Sequence, residues 1–428
     1  MQTDTDIVII GAGIAGLTLA LELNRIGIRC RVLESTPTLR PLGVGVNLLP
    51  HATVHLERLG VLPALQSTAV DIRESVFFNR FGQLVYREPA GRFAGNAGPQ
   101  LSIHRGHLQQ ILAASVQARL GDAAIATGHR VLSVENTDQG VIVHSCDPAG
   151  QVLPPVRGRL AIACDGIHSA IRRQLHPHEG EPVYRGVQMW RGTTVFPPFL
   201  GGASMVRAGW LSVGKLVLYP IRNNVDGRGG QLINWVVELN AERPQERDWS
   251  RTGQLADFLP VFEDWVFDWL DVPALLRGSA LVLEFPMVDQ DPLDSWTLGR
   301  TALLGDAAHP MVPRGSNGAG QAIVDCAVLA ACLARHGLNE SALRDYESQR
   351  LPITRDIILA NRSQPPDAIL REVHERTGDT PFARIEDVIS HDEMAGIADA
   401  YRAITGRAVA DPTHYAGSAG LGSSERPT

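Results

Sequence analysis

The start of the chain combines two short apolar runs with one helical pattern. Residues Ile7–Ile10 are all apolar, which is typical of a parallel strand buried on both faces. From residue 15 to residue 25 the apolar side chains recur at helical spacing, and Gly27 follows where a helix would end. A second short apolar run occupies residues 31–33. This order predicts a β-α-β unit.

Two later regions show the alternation of polar and apolar residues that is typical of antiparallel strands. They lie within residues 71–100 and 183–284 and include VQMWRGTTVF and QLINWVVEL. Buried strands that turn into helices return in RLAIACDGIHSAIRRQL and in RTALLGDAAHP. The predicted fold class is therefore α/β, with a mainly antiparallel sheet inserted into a parallel one and with helices towards the C-terminus.

The first β-α-β unit carries a glycine fingerprint. Gly11, Gly13 and Gly16 form G-x-G-x-x-G between the first strand and the first helix. Glycines at these positions allow a tight turn, a close approach of the backbone to a pyrophosphate, and close packing of helix on strand. Glu34 ends the second strand, where a carboxylate can accept hydrogen bonds from an adenosine ribose. The unit predicts a site for FAD or NAD rather than NADP; the alternative is a purely structural turn.

A second glycine-rich stretch, LLGDAAHPMVPRGSNGAGQAIVD, lies late in the chain. Asp306, at the end of a predicted strand, can accept a hydrogen bond from a sugar or ribitol hydroxyl. Residues 315–320 precede a helix, whose free N–H groups suit the electron-rich edge of a reduced flavin. Together with the first motif, this stretch favours FAD bound in an extended form.

Three motifs thus follow one another along the chain: the glycine fingerprint with Glu34, CDGIHSAIR and GDAAHP. With them the sequence resembles the class A FAD-dependent aromatic monooxygenases, the family of para-hydroxybenzoate hydroxylase and salicylate hydroxylase. The likeness extends to about residue 365. Outside the motifs, RPLGVGVN, SIHRGHLQ, MWRGTT and PMVDQDPL resemble members of this family that act on phenazines.

The resemblance implies FAD as the cofactor and indicates which residues hold it. The fingerprint would bind the ADP half, and the backbone at residues 44–46 and 318–319 would lie beside the isoalloxazine ring. The second motif is linked in the family to both FAD and the pyridine nucleotide. The residues expected to bind the cofactor are Gly11, Gly13, Gly16, Glu34, Val46, Arg105, Asp165, Asp306, Gly318 and Ala319.

The chain departs from the usual family pattern at three positions of the second and third motifs. Ala163 and Ser316 replace common glycines, and Val324 replaces a common glutamate. The departures concern local geometry more than flavin binding. Histidines in or beside the motifs are interpreted as hydrogen-bonded wall residues rather than as acids or bases; they are His104, His168 and His309.

The same resemblance implies the reaction. NADH or NADPH reduces the FAD, O₂ adds at the flavin C4a carbon, and the resulting hydroperoxide transfers one oxygen atom to an electron-rich aromatic or heteroaromatic substrate. Phenazine-like and carboxylated rings are examples of such substrates. No protein nucleophile is required, so no side chain is assigned a catalytic role. The alternatives are a non-catalytic FAD-binding or sensor protein, and a flavin-dependent halogenase that would need Lys215 near the flavin.

The inserted sheet is expected to cover the flavin ring and to exclude water from it. The candidates for substrate contact are Trp190, Arg191, Tyr219 and Trp235, of which Arg191 would suit a substrate carboxylate. The alternative is that the aromatic side chains form the core of the sheet and that Arg191 forms a structural ion pair. Period-two spacing places Tyr219 on one face with Leu211, Val213, Lys215 and Val217.

These patterns predict a Rossmann-like FAD-binding domain with an inserted substrate domain. We assign residues 1–70, 101–182 and 285–365 to the FAD-binding domain and residues 71–100 and 183–284 to the substrate domain. A C-terminal helical segment is expected at residues 366–410. Residues 411–428 are rich in glycine, serine and proline, which is typical of a disordered tail.

Composition and charge limit the binding partners and the cellular compartment that the sequence predicts. The net charge of −7 offers no basic field for nucleic acid, and the N-terminus lacks the features of a secretory signal or a membrane span. We therefore expect a cytoplasmic enzyme, monomeric or homodimeric, whose partners are a small aromatic molecule and O₂. The five cysteines form no C-x-x-C pair, and no cysteine and histidine cluster has metal-ligand spacing, so no metal site is predicted.

Overall fold

A computed structural model describes residues 3–41, 43–242, 252–363 and 365–406. The predicted disordered tail at residues 411–428 lies outside the described residues. The strands are β1 Ile7–Ile10, β2 Cys30–Leu33, β3 Gly45–Leu48, β4 Val70–Asp71, β5 Glu74–Phe78, β6 Leu84–Pro89, β7 Leu101–His104, β8 Ile125–Ala126, β9 Arg130–Thr137, β10 Gly140–Cys146, β11 Val156–Gly158, β12 Leu160–Ala163, β13 Val183–Phe196, β14 Ser204–Trp210, β15 Gly214–Arg222, β16 Gln231–Asn240, β17 Val266–Phe267, β18 Leu270–Asp271, β19 Val282–Asp289, β20 Thr297–Leu298 and β21 Thr301–Leu303. The helices are α1 Ile14–Arg25, α2 Pro50–Arg58, α3 Leu62–Gln66, α4 Arg105–Leu120, α5 Ala170–Leu175, α6 Leu259–Phe262, α7 Val272–Arg277, α8 Gly318–His336, α9 Glu340–Ser363, α10 Ala368–Thr377 and α11 His391–Gly406.

The first motif belongs to a six-stranded sheet with the strand order β20-β21-β12-β1-β2-β8. Strand β1 pairs in parallel with both β2 and β12, and every residue of Ile7–Ile10 is buried, as the apolar run predicts. Helices α1 and α8 pack on this sheet through continuous apolar faces. Because the three central strands are parallel, the segments that follow them meet at one edge of the sheet. The fold class predicted from the sequence is confirmed.

The second large sheet has seven strands in the order β19-β13-β16-β15-β14-β5-β6. Strands β5 and β6 join five strands from much later in the chain, and β5 with β14 is the one parallel pair among the described strands of this sheet. Strand β19 continues to Asp289, beyond the boundary predicted at residue 284. The division into domains otherwise stays a prediction.

One face of the seven-stranded sheet packs on a compact aromatic core. Helices α6 and α7 cover this face, and Phe258, Phe262 and Trp265 contribute the large side chains. The other face packs on a small three-stranded sheet, β3-β7-β4, through Val70, Tyr219 and Ile221 among others. The stretch predicted as one strand, GWLSVGKLVLYPI, is divided between β14 and β15, so Leu211 and Val213 lie in the turn between them and not on the strand face.

Helices α10 and α11 pack on the far edge of this sheet, against Phe77 and Tyr86. They confirm the prediction of a C-terminal helical segment. Helix α8 is apolar and long enough to cross a membrane, yet 72% of its most apolar stretch is buried inside the protein, where it serves as a core helix. All five cysteines are free, and four of them are buried.

Candidate active site

The three fingerprint glycines have different structural roles in the turn between β1 and α1. Gly11 has a φ of +99°, and a methyl group on it would lie 2.5 Å from the carbonyl oxygen of Cys164. A methyl group on Gly16 would overlap the carbonyl oxygen of Gly11, so close helix packing requires glycine there. Gly13 is different, because a methyl group on it would meet no atom within 4 Å. Its missing side chain leaves open space at the start of α1, where a phosphate can approach the helix N-terminus.

A cavity of about 720 Å³ lies at the end of β1, β2 and β12. The predicted residues in its wall are Gly11, Gly13, Glu34, Arg105 and Asp165. Sequence reasoning missed other wall residues, among them Gln109, His129, Arg130 and Arg173. Gln109 lies one helical turn after Arg105 on α4 and donates a hydrogen bond from Nε2 to the carbonyl of Ala12, at 2.7 Å.

Glu34 ties the end of β2 to the glycine loop. Its Oε2 accepts a hydrogen bond from the Ala12 amide at 2.8 Å, and its Oε1 accepts one from the Thr36 amide at 2.8 Å. The side chain is 9% exposed, and this small exposed part faces the cavity. The carboxylate therefore stabilises the loop and still presents acceptor lone pairs to a ribose.

Asp165 presents a buried acceptor that lacks a donor. Its Oδ2 accepts a hydrogen bond from the Ala170 amide at 2.9 Å, whereas no described residue donates to its Oδ1. Burial raises the pKa of the Asp165 carboxyl, partly offset by hydrogen bonds from Ser169 and nearby amides. A buried oxygen without a partner in a cavity wall is suited to a ligand donor. Ala163 is buried on β12 and does not line the cavity, so this departure from the family pattern lies outside the cavity wall.

The third motif meets the first at Gly305. A methyl group on Gly305 would lie 3.2 Å from Cβ of Ala15 on α1, so the two segments are in close contact. Asp306 follows and is exposed between buried neighbours, and its Oδ1 lies 3.7 Å from the position of a methyl group on Gly318. Gly318 and Ala319 open α8, and Ser316 adopts a left-handed φ of 58° just before them. This places Asp306, Gly318 and Ala319 together but outside the wall of the first cavity.

A buried charge network supports the third motif from behind. His309 Nε2 lies 2.5 Å from Oδ2 of Asp325, and Arg350 Nε donates to Oδ1 of the same carboxylate at 2.7 Å. The Gly305 amide also points at Asp325 Oδ2, at 3.3 Å. Burial alone raises the pKa of Asp325, but the adjacent His309 and Arg350 outweigh it and lower the pKa overall. His309 is thus a structural partner in the core.

Gly45 at the start of β3 is held from the opposite side by the seven-stranded sheet. Its amide donates to Asn234 Oδ1 at 2.7 Å. Its carbonyl accepts from Arg191 Nη2 at 3.0 Å and from the Tyr219 hydroxyl at 3.2 Å. Asn234 was missed in the sequence, while Arg191 and Tyr219 were predicted. The backbone beside Val46 is therefore positioned by three side chains of the sheet.

A second cavity lies between the seven-stranded sheet, the third motif and α11. Its main part has a volume of about 340 Å³, and a smaller part of about 60 Å³ lies next to Arg191, Lys215 and Tyr219. The two parts share the wall residues Met205, Arg207, Gly315, Ser316 and Pro366. Helix α11 closes one side through Tyr401, whose hydroxyl accepts from Asn317 Nδ2 and donates to Asn361 Oδ1, both at 2.8 Å.

The structure does not bring Trp190 and Trp235 to this cavity. Trp190 is adjacent to Arg191 on β13, and successive side chains of a strand point to opposite faces. Trp190 stacks near Phe258 in the aromatic core, with ring centroids 5.2 Å apart. Trp235 lies in the same core and donates from Nε1 to Thr194 Oγ1 at 3.1 Å. For these two residues the alternative interpretation, sheet core, agrees with the structure, and their predicted substrate contact is corrected.

Two further histidines have simple placements. His104 caps α4, because its Nδ1 accepts a hydrogen bond from the Gly106 amide at 3.2 Å. Burial lowers the pKa of His104. His168 lines the first cavity. Within the described parts of the chain, no group of three histidine, cysteine, aspartate or glutamate side chains is arranged to hold a metal ion.

The open space at Gly13, the unpaired oxygen of Asp165 and the exposed Asp306 fit an extended dinucleotide. Comparison with known proteins identifies this dinucleotide as FAD. The family described as FAD binding domain matches residues 4–190 and 284–360, and the chain belongs to this family. The protein is a flavoprotein monooxygenase with FAD as its cofactor, and the predicted class of FAD-dependent aromatic hydroxylases is confirmed.

Individual relatives cover nearly the whole chain. A phenazine 1,6-dicarboxylic acid hydroxylase from Lysobacter antibioticus is 42% identical over 95% of this chain and 98% of its own length. A 3-amino-4-hydroxybenzoate 2-monooxygenase from Streptomyces cremeus is 32% identical over 83% of this chain and 86% of its own. Among solved structures, Klebsiella pneumoniae HpxO complexed with FAD and uric acid shares the fold, with a TM-score of 0.75 at 23% identity, over 94% of this chain and 97% of that one.

Proposed function

We propose that this protein hydroxylates a nitrogen-containing, polycyclic aromatic compound of the phenazine type. NADH or NADPH supplies two electrons, one atom of O₂ enters the ring as a hydroxyl, and the other leaves as water. The observation that carries the proposal is the second cavity, which lies between the third motif and a wall of the seven-stranded sheet. The 42% identical relative, named for a phenazine substrate, supports the ring class.

We propose that the cofactor lies along the joined edges of the three motifs. Gly11 and Gly13 would receive the pyrophosphate at the start of α1, Gly16 would let the helix pack closely enough for this, and Glu34 would accept from the ribose. Arg105 and Asp165 would contact the cofactor in the wall of the first cavity. The remaining predicted contacts are Val46, Asp306, Gly318 and Ala319, of which the last two open α8. FAD, when bound, supplies hydride acceptance and the activation of O₂, which no side chain can supply.

The side chains around the second cavity would position the reacting partners. Arg191 and Tyr219 hold the Gly45 carbonyl, so we propose that they orient the backbone beside the flavin while they line the substrate cavity. The cavity volume of about 340 Å³ lies in the range of sites for small molecules. Its walls come from the seven-stranded sheet, the third motif and α11.

Lys215 does not favour the halogenase alternative. Its ammonium group lies 3.1 Å from Glu238 Oε2 and also contacts Asp367. A lysine held by two buried carboxylates is fixed as part of an ion cluster. We further propose that the enzyme works in the cytoplasm as a monomer or homodimer.

The test uses purified protein with bound FAD. NADH and NADPH oxidation is measured with and without phenazine-1-carboxylic acid, and the product is analysed by mass spectrometry after reaction under ¹⁸O₂. We expect the aromatic compound to accelerate nucleotide oxidation and to gain one labelled oxygen atom.

A Gly13→Val variant is the matched control, because its side chain would enter the open space at the start of α1, where an added methyl group meets no protein atom within 4 Å. This variant should lack FAD and activity. Nucleotide oxidation that no aromatic compound accelerates, with no labelled product, would instead favour a non-catalytic FAD-binding protein.

A further inference from the structure

Arg207 on β14 is a buried cation in the wall of the second cavity. It is 9% exposed and lines both parts of that cavity. Its Nη1 donates to Ser75 Oγ at 2.8 Å, its Nη2 faces Met205 Sδ at 3.6 Å, and its guanidinium lies 5.2 Å from the ring centroid of Phe77. None of the described carboxylates forms an ion pair with it. A buried guanidinium is normally paired with a carboxylate. The guanidinium of Arg207 is therefore unusual in lacking such a counter-ion among the described residues.

The two carboxylates with the largest electrostatic effect on Arg207, Asp367 and Glu88, are engaged elsewhere. Asp367 contacts the ammonium group of Lys215, and Glu88 lies 2.5 Å from Arg402 Nη1. Burial lowers the pKa of the Arg207 guanidinium, and these two carboxylates offset the effect only from a distance. Arg207 therefore stays charged with one side facing the cavity and no direct negative partner there.

The other arginines of the cavity are placed differently. Arg191 is half-buried, and its Nη2 donates a hydrogen bond to the carbonyl of Gly45. Arg314 lies 4.0 Å from Glu238, within the ion cluster around Lys215. Only Arg207, among the described cations of this wall, is both deeply buried and unengaged by a backbone carbonyl or a carboxylate.

The geometry points to Arg207 as the residue that binds a carboxylate group of the substrate, an assignment that rests on the proposed function. A guanidinium presents parallel N–H donors that match the two oxygens of a carboxylate. Burial strengthens such a pair because little water competes for it. Ser75, which already accepts from Nη1, would hold the guanidinium plane in place. The enzyme would accordingly select acids over the corresponding amides.

The test measures binding to the FAD-containing enzyme without nucleotide, by titration calorimetry. The probes are two matched pairs, phenazine-1-carboxylic acid with phenazine-1-carboxamide, and benzoic acid with benzamide. We expect the wild type to bind each acid at least about tenfold more tightly than its amide. Arg207→Gln should weaken acid binding by about 10-fold to 100-fold and amide binding by less than about threefold.

Two further variants make the result specific. Arg222→Gln removes an exposed arginine from the end of β15 and should leave both affinities unchanged. Arg207→Lys keeps the charge but loses the paired donors, so it should give an intermediate acid affinity and also serves if Arg207→Gln fails to fold. Circular dichroism and FAD content confirm that each variant is folded.

An acid-to-amide ratio that is unchanged in both Arg207 variants, or a wild type that shows no preference for either acid, would overturn the assignment. Because binding is measured without turnover, the proposed function can fail separately. In that case the acid preference and its loss in Arg207→Gln would persist, while no labelled oxygen would enter any aromatic compound.

Discussion

The carboxylate of Asp325 offers a sharp test of how the third motif is held. It is fully buried on α8 and joins His309, Arg350 and the amide of Gly305. An Asp325→Asn substitution keeps the size of the side chain but removes its charge. The amide can accept through one oxygen only, so either the imidazole or the guanidinium loses its partner, and the buried charge of Arg350 is left uncompensated. Breaking a buried pair in this way costs about 3–5 kcal/mol.

The chain contains a matched control. Asp345 on α9 also pairs with one arginine and one histidine, Arg335 at 3.0 Å and His336 at 2.9 Å. Its side chain is 24% exposed, and both partners are more exposed still. Water and salt screen such a pair, so Asp345→Asn should cost less than about 1 kcal/mol.

The assay is urea denaturation of the FAD-containing protein at neutral pH, followed by tryptophan fluorescence, with flavin release recorded in parallel. We expect Asp325→Asn to lower the unfolding free energy by about 4 kcal/mol and to release FAD at a lower urea concentration. Equal losses in the two variants, or a loss below about 1 kcal/mol in Asp325→Asn, would refute the argument that burial makes this network important.

Three other predictions concern separate parts of the molecule. Gly13→Val should lose FAD but keep a folded apoprotein, whereas Gly16→Val should unfold more easily as well, and equal thermal stability would contradict this. Tyr401→Phe should lower the unfolding free energy by about 2 kcal/mol in urea, because its two asparagine partners stay buried without it; no change would argue against that contact. Burial lowers the pKa of His51 and of His55 to about 4, below the value in an unfolded chain, so the unfolded state binds more protons. Stability should therefore fall by about 3 kcal/mol for each histidine as pH drops from about 6.5 towards 4, and a flat stability profile over that window would refute it.

The sequence predicted the parts of the fold that depend on neighbouring residues. Strand β1 begins and ends where the apolar pattern indicates, helix α1 begins one residue before the predicted start and ends at the predicted residue, and the glycines of the first turn have separable steric roles. The placement of Trp190 was also available from local reasoning. It is adjacent to Arg191 on one strand, and alternation of side chains prevents both from facing the same cavity.

The residues that complete the site carry no comparable local signal. Asn234 reaches the amide of Gly45 across 189 positions of the chain, and Tyr401 meets Asn317 across 84. Arg207 looks in the sequence like any arginine in an alternating strand. Its lack of a counter-ion becomes visible only when β14, β5 and the third motif are assembled around it.

The three hydrogen bonds at Gly45 also restrict how the protein can move. They join β3 to β13, β15 and β16 through both the amide and the carbonyl of Gly45. A hinge rotation that separated β3 from the seven-stranded sheet would break all three hydrogen bonds together. We therefore expect β3 and the large sheet to travel as one rigid body whenever the enzyme changes shape.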